Sequence, residues 1–350
     1  MQKISIEDKE ISNNSSILLI AEVGVNHNGK IENAMKLIDH ASRLNIDAIK
    51  FQTFHADKLI LKNIGKAKYQ KRNINDKESF YKMIKKYELT NKEFRLIKQY
   101  CDKKKIIFLS TPFDKQSVDL LEELDVSAYK IGSGDLDNYP LIRYICSKNK
   151  PILLSTGMST LRDVKESLTF IKKNGIKKIV VLQCTSNYPA KFININLNVI
   201  DKYKQEFKNE IIGFSDHSIG IICSLGAAAK GAKVIEKHFT LNKSMEGPDH
   251  KASMNPKEMK DWSKKIRILE LALGESKKEI SNNEKGVLKI ARKSIICASK
   301  LEKGTIIKEE DLVIKRPGTG ISPRYFQDVV GRRTNKKLYK DSILKWDDFK

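Results

Sequence analysis

Gly213–Ser253 reads GFSDHSIGIICSLGAAAKGAKVIEKHFTLNKSMEGPDHKAS, and its layout decides the fold. Two short apolar segments, IIGFS and KVIEKHF, flank a small-residue run, and their spacing of about 20 residues suits a βαβ unit. If both are parallel strands, His217 and His238 emerge side by side at one edge of a sheet. Three of the chain's six histidines fall in this window, together with Asp216, Glu236 and Asp249. Neutral imidazoles on adjacent strand ends make a natural pair of ligands for a divalent metal. Each could equally be a satisfied polar residue at a strand end, because no HxxxH or CxxC pattern accompanies them. On spacing alone both readings stay open.

Outward from this unit the chain repeats the same motif. Apolar runs at Ile17–Val23, Asp47–Thr53, Ile106–Thr111, Ala128–Gly132, Pro151–Ser155, Ile179–Cys184, Ile211–Ser215 and Lys233–Phe239 read as strands. Helix-like segments follow them, such as Glu32–Leu44, Glu93–Lys103, Gln116–Leu124 and Arg162–Asn174. Short buried runs alternating with helices imply a parallel sheet, and eight such units imply a closed (β/α)8 TIM barrel. An open doubly wound sheet is the alternative, but the GVNHNG after the first strand lacks the GxGxxG spacing. The polar opening Gln2–Ser12 suits a hairpin over the barrel's bottom. After Pro256–Leu273 the pattern breaks. Residues 1–273 are therefore expected to form the barrel, 274–284 a charged linker, and 285–350 a small β-rich module.

Composition narrows the class. The net charge is +23, yet only 11 of the 66 basic residues are arginine, and acidic residues interleave with the lysines. No helix-turn-helix, zinc-finger or RNP pattern is present, so the field suits small anionic substrates better than nucleic acid. The five cysteines form no CxxC pair, which argues against a disulfide framework or a cysteine zinc site. Met1–Ser16 is polar, the apolar run after it already holds Glu22, and no stretch is apolar enough to span a bilayer. No membrane association and a cytoplasmic location are expected.

In a barrel of this kind active sites lie at the carboxyl ends of the strands. Those ends supply Glu22, Lys50, Gln52, Ser110, Thr111, Lys130, Ser133, Ser155, Thr156, Thr185, Ser186, Tyr188, Ser215, His217, Glu236 and His238. The two-residue period turns Lys50 and Gln52 inward while Ile49 and Phe51 face the helices. Glu236 and His238 likewise share a face. Two inward lysines within a ring of hydroxyls and glycines describe a basin for phosphate or carboxylate.

Ten ordered motifs, AEVGVNHNG, KFQTF, STPFD, YKIGSGD, STGMS, CTSNYP, GFSDHS, IEKHFTL, GPDHKAS and KRPGTGISP, resemble those of the bacterial sialic acid synthase family. The resemblance runs from Ile17 nearly to the C-terminus. It implies a TIM barrel joined to a C-terminal antifreeze-like (SAF) domain. The implied reaction condenses phosphoenolpyruvate with an N-acetylated mannosamine-type sugar and water, releasing phosphate by C–O cleavage. N-acetylneuraminate synthase, acting on N-acetylmannosamine, is the first expectation. N,N'-diacetyllegionaminate synthase, acting on 2,4-diacetamido-2,4,6-trideoxymannose, is the alternative.

Residue by residue, the resemblance implies that Lys50, Thr111, Lys130, Ser133, Ser155 and Ser215 hold phosphoenolpyruvate. It makes His217 and His238 ligands for Mn²⁺ or Mg²⁺, and Glu22 the catalytic acid or base. Gln52, Tyr188 and Asp249 fall at sugar-contacting positions. Ser186 stands where some members carry asparagine, a departure that weakens its claim to phosphoenolpyruvate. Arg316 matches an arginine that reaches from the SAF domain into the partner's site, which implies a homodimer.

Overall fold

The computed structural model describes residues 3–63, 65 and 79–350. The chain divides into two compact units, Met1–Gly274 and Glu275–Lys350. Among the described residues, no helix is long and apolar enough to cross a membrane.

The first unit opens with an antiparallel hairpin of β1 (Ile4–Ile6) and β2 (Lys9–Ile11), pairing Ile4 with Ile11. Eight parallel strands follow: β3 (Leu18–Gly24), β4 (Ala48–Thr53), β5 (Ile107–Pro112), β6 (Tyr129–Ile131), β7 (Ile152–Ser155), β8 (Ile179–Cys184), β9 (Ile211–Asp216) and β10 (Val234–His238). Each lies within a residue or two of its expected range. The ladder runs β5-β4-β3-β10-β9-β8-β7-β6, so first and last barrel strands are hydrogen-bonded neighbours. Its one interruption among the described residues is between β5 and the three-residue β6, which still lie side by side. This is a (β/α)8 barrel, as the strand–helix alternation implied.

Alternation along the strands sorts the side chains into layers. On the outer face Leu19, Ala21, Ile49, Phe51, Phe108, Val181, Phe214 and Ile235 pack against the helices. On the inner face the early positions are apolar: Leu18, Ile20, Ala48, Ile107, Leu109, Leu153, Val180, Leu182, Ile211 and Val234. Ile4, Ile6 and Ile11 of the hairpin join that inner cluster, so the hairpin plugs the barrel's amino end. Gly213 is dictated by this packing. A Cβ there would lie 2.4 Å from Leu182 Cδ2 and 2.6 Å from the Val234 carbonyl oxygen. Only the last inward positions of each strand are polar, and they open at the carboxyl end.

Helix starts follow local chemistry. Thr90 with Glu93, Thr160 with Asp163, and Asn255 with Glu258 each form a reciprocal capping box. Such a cap is worth about 1 kcal/mol.

The second unit holds a helix at Asn282–Ala291 and an antiparallel pair, β11 (Ser294–Cys297) with β12 (Leu312–Lys315). Isolated bridges, such as Ile296 with Ile343 and Leu301 with Leu338, complete it around Ile295, Cys297, Leu312, Leu338 and Leu344. The helix begins inside the stretch read from composition as linker. Ser281 accepts from the Glu284 amide and Glu284 returns onto the Ser281 amide, so a polar sequence starts a helix here.

Two loops above the first unit are tied together by buried amides and imidazoles. Asn26 Nδ2 donates to the Phe239 carbonyl at 2.9 Å and to Ser253 Oγ at 2.8 Å. His250 Nε2 donates to Asn28 Oδ1 at 2.9 Å, and its Nδ1 shares a 2.6 Å hydrogen bond with Thr240 Oγ1, which also donates to the Asn242 carbonyl at 3.2 Å. His27 Nδ1 accepts the Gly29 amide at 3.0 Å, and its buried Nε2 has no hydrogen-bond partner. The His27 ring is therefore needed neutral. Burial, reinforced by the neighbouring His250, lowers the His27 pKa to about 4.

A pH dependence of stability follows. The unfolded chain takes up the His27 proton below its ordinary value of about 6.5, while the folded chain resists until about 4. Stability present above pH 6.5 is therefore lost between 6.5 and 4, on the order of 3 kcal/mol for this group. Denaturant titrations of His27→Gln at pH 7 and 4.5 are expected to show a pH loss smaller than wild type by about 2 kcal/mol. Identical losses in the two proteins would refute the assignment.

Candidate active site

The polar layer at the carboxyl ends of the strands encloses a cavity of about 260 Å³. Glu22, Lys50, Gln52, Thr111, Lys130, Ser133, Ser155, Ser186, Tyr188, Ser215, His217 and His238 line it, twelve of the fourteen candidate residues. Asp249 and Arg316 are not in this lining. Asp249 is a buried residue preceding the short turn His250–Ala252, and burial raises its carboxyl to about 6. Arg316 belongs to the second unit, where it is exposed just after β12. Phe113, Gly132, Gly134, Met158, Cys184 and Glu236 also line the cavity. Of these, Glu236 was legible as an inward residue two positions before His238. Cys184 follows the same alternation as Leu182 on β8. Phe113 and Met158 sit in loops, where no periodicity predicts direction.

Charge in the cavity is nearly closed on itself. Lys50 Nζ lies 2.6 Å from Glu22 Oε2 and 3.5 Å from Glu236 Oε2, and donates to Thr111 Oγ1 at 3.2 Å. Lys130 Nζ donates to Ser155 Oγ at 2.6 Å and lies 3.9 Å from Glu236 Oε1. The side chains of all four ionisable groups are at most 5% exposed. Burial pushes the Glu22 carboxyl up to about 7, against the opposing charge of Lys50. Burial acts on Glu236 too, but Lys130, Lys50 and the Ser215 hydroxyl overcome it and hold that group ionised, below the usual carboxylate range. Desolvation lowers Lys130, whereas Glu22 and Glu236 override it at Lys50 and keep that ammonium raised. One carboxyl poised near neutrality beside one that stays ionised separates acid from anion within a single pocket.

Hydroxyls complete the wall. Ser133 Oγ accepts the Gly157 amide at 2.9 Å and sits 3.2 Å from Cys184 Sγ. Ser215 Oγ donates to Glu236 Oε1 at 2.9 Å. A Cβ on Gly157 would lie 2.2 Å from Ser186 Oγ and 2.8 Å from Cys184 Sγ, so glycine keeps this corner open.

The two imidazoles face each other with ring centroids 5.4 Å apart, and Tyr188 packs against both at 4.3 and 5.4 Å. His217 Nδ1 donates to the Thr185 carbonyl at 2.8 Å, so its Nε2 carries the lone pair. The nearest hydroxyl, Ser215 Oγ at 3.3 Å, has its proton committed to Glu236. That lone pair therefore has no donor. His238 Nδ1 is buried and without a hydrogen-bond partner. Burial lowers both rings, His238 well below its ordinary value with His217 adding to the shift, so both are neutral. Two neutral imidazoles with unsatisfied nitrogens fit a divalent cation as a two-nitrogen half-site. Among the described residues no cluster of three histidine, cysteine or carboxylate groups is placed to hold a metal, so other ligands would come from water or substrate.

The NeuB family model matches residues 37–278 and the SAF domain model residues 292–350. The chain is 43% identical over 330 residues to the N,N'-diacetyllegionaminic acid synthase of Campylobacter jejuni, covering 94% of this chain and 98% of that one. It is 41% identical over 333 residues to the protein of the same name in Legionella pneumophila, covering 94% and 93%. The crystal structure of N-acetylneuraminic acid synthetase from Leptospira borgpetersenii matches with a TM-score of 0.73 at 32% identity, over 82% of this chain and 95% of that one. The chain is an enzyme of the NeuB family, the sialic acid synthase type, with a C-terminal SAF domain.

Proposed function

We propose that this enzyme joins phosphoenolpyruvate to the open-chain aldehyde of an N-acetylated mannosamine-type sugar, giving a nine-carbon 2-keto acid and phosphate. The observation that supports this most is one cavity combining two buried lysines, a ring of hydroxyls and two neutral imidazoles. Lys50, Thr111, Lys130, Ser133, Ser155 and Ser215 offer donors for a ligand carrying both phosphate and carboxylate, with Ser186 at their edge. Gln52 and Tyr188 border the side left for the sugar. Asp249 and Arg316 are proposed sugar contacts on the sequence match alone. A divalent cation, Mn²⁺ or Mg²⁺, held by His217 and His238 would supply Lewis-acid polarisation of the aldehyde.

Glu22 is the group suited to proton transfer. An incoming anion beside it favours its protonated form, so substrate binding itself loads the acid. Carbon–carbon bond formation turns the aldehyde oxygen into an alkoxide that needs a proton, and the water that adds at C2 must lose one. A carboxyl near pH 7 serves either transfer. Phosphate then leaves by C–O cleavage, with Lys50 and Lys130 compensating the charge it carries away.

The sugar is proposed to be 2,4-diacetamido-2,4,6-trideoxymannose, since two relatives above 40% identity bear the legionaminic acid synthase name. N-acetylmannosamine is the second reading, supported by the likeness to the N-acetylneuraminic acid synthetase of Leptospira borgpetersenii. Cytoplasmic residence and a homodimer in which Arg316 completes the partner's site belong to the same proposal.

Four experiments test it. Purified enzyme given phosphoenolpyruvate, Mn²⁺ and each sugar in turn should release phosphate faster with the diacetamido sugar. Faster turnover of N-acetylmannosamine reverses the substrate assignment, and no phosphate release with either sugar overturns the proposed sugar class. Glu22→Gln is expected to lower kcat by about 10²–10⁴ while phosphoenolpyruvate still binds; exhaustive chelation should also abolish turnover until Mn²⁺ or Mg²⁺ is restored. Full activity after either treatment removes the corresponding role. Finally, mixing inactive Glu22→Gln and Arg316→Ala chains should regain activity through heterodimers holding one intact site. A mixture that stays inactive places Arg316 in its own chain's site, and an Arg316→Ala chain that is active by itself removes it from any site.

A further inference from the structure

Outside the cavity, on the opposite face of the sheet, a second pair of charges stands directly behind the imidazoles. Asp216 ends β9 and pairs in register with Lys237 of β10. Lys237 Nζ lies 2.9 Å from Asp216 Oδ2, and the two side chains are 1% and 0% exposed. The same outer face is otherwise apolar, with Ile212, Phe214, Ile235 and Phe239 packed against helices. An ion pair buried there gains little over apolar residues of the same shape, so stability alone does not account for it.

What the pair grips does account for it. Lys237 Nζ donates to the Ser218 carbonyl at 2.7 Å. The Ser218 amide and hydroxyl donate to Asp216 Oδ1 at 2.8 and 2.6 Å. Ser224 Oγ, in the first turn of helix Ile222–Ala229, donates to Asp216 Oδ2 at 2.6 Å. Residues 216 and 218 are thus fixed on both sides of His217, whose ring is held in turn by the Thr185 carbonyl. Lys237 immediately precedes His238. The clamp therefore spans both strands at the one level where each presents an imidazole to the cavity.

We propose that Asp216 and Lys237 are a positioning pair that fixes the separation and ring orientation of His217 and His238, and so sets the affinity for a divalent cation. The affinity part rests on the metal reading above; the orientation part does not.

The test uses the full chain and the double variant Asp216→Leu/Lys237→Met, which removes both charges and leaves no lone ion buried. Calorimetric titration with Mn²⁺ is expected to show binding weakened at least about tenfold, with kcat at saturating Mn²⁺ within about threefold of wild type. In parallel, the Nδ1–H of His217 that donates to the Thr185 carbonyl, assigned by nitrogen-15 NMR in metal-free protein, should broaden or vanish. Wild-type Mn²⁺ affinity together with an unchanged His217 signal overturns the proposal. Should the double variant not fold, Asp216→Glu keeps the charge but displaces the carboxylate by one methylene. It is expected to weaken Mn²⁺ binding about three- to tenfold, and unaltered binding there overturns the proposal equally. A wild type that binds no Mn²⁺ refutes the metal reading instead, and the His217 signal still decides the orientation.

Discussion

The pairing of β10 with β3 is the constraint on which the rest of the first unit depends. These strands lie at opposite ends of the barrel's sequence, and their ladder turns a twisted sheet into a ring. Its register sets His238 beside Glu22 and Glu236 beside Ile20. A slip of one residue would turn His238 and Glu236 into the apolar layer under the helices and bring Lys237 into the cavity. The closing ladder therefore fixes the chemistry as well as the shape. Hydrogen bonds of Asn26 to Phe239 and Ser253 extend it above the strand ends, so the first and last loops share one fate.

Closure also explains why the cavity can hold four buried ionisable groups. In an open sheet edge, water would screen Lys50 and Glu22 and leave both near their ordinary values. Inside the ring each group is solvated almost wholly by the other three and by hydroxyls. The asymmetry between the carboxyls then has a simple origin. Glu236 lies between both lysines and accepts from Ser215, whereas Glu22 has Lys50 as its close partner. Desolvation is common to both, and the difference in neighbours decides which one keeps a proton.

Much of this was legible in the chain itself. The eight strands stood out because each is a short run buried on both sides, and the switch from apolar to polar along the inner face marked where the cavity opens. Lys50, Glu236 and His238 followed from a period of two alone. What escaped the reading has physical causes. The helix at Asn282–Ala291 has only a short apolar run, Val287, Leu288, Ile290 and Ala291, none of it buried, within a charged stretch, and the Ser281 and Glu284 capping pair marks its start. Phe113 and Met158 lie beyond the strand ends, where direction depends on loop closure over distant segments. The Asp216–Lys237 pair hid for the opposite reason. Its two members are charged residues on a face that alternation assigns to apolar packing, and nothing in either strand alone says that they meet.

This division between strand and loop bears on substrate choice within the family. The donors suited to phosphoenolpyruvate stand largely on strands or at their immediate ends: Lys50, Thr111, Lys130, Ser155 and Ser215. Their separations are set by ladder geometry, which a change of one loop does not alter. The residues assigned to the sugar include Tyr188 and Asp249, which lie in loops beyond β8 and β10. Loops tolerate substitution and insertion at little cost to the barrel. Relatives that bear different nonulosonate names can therefore share one anion-binding frame and differ in what surrounds it. Of the proposed sugar contacts in this unit, Gln52 stands on β4, while Tyr188 and Asp249 lie where strand periodicity is silent.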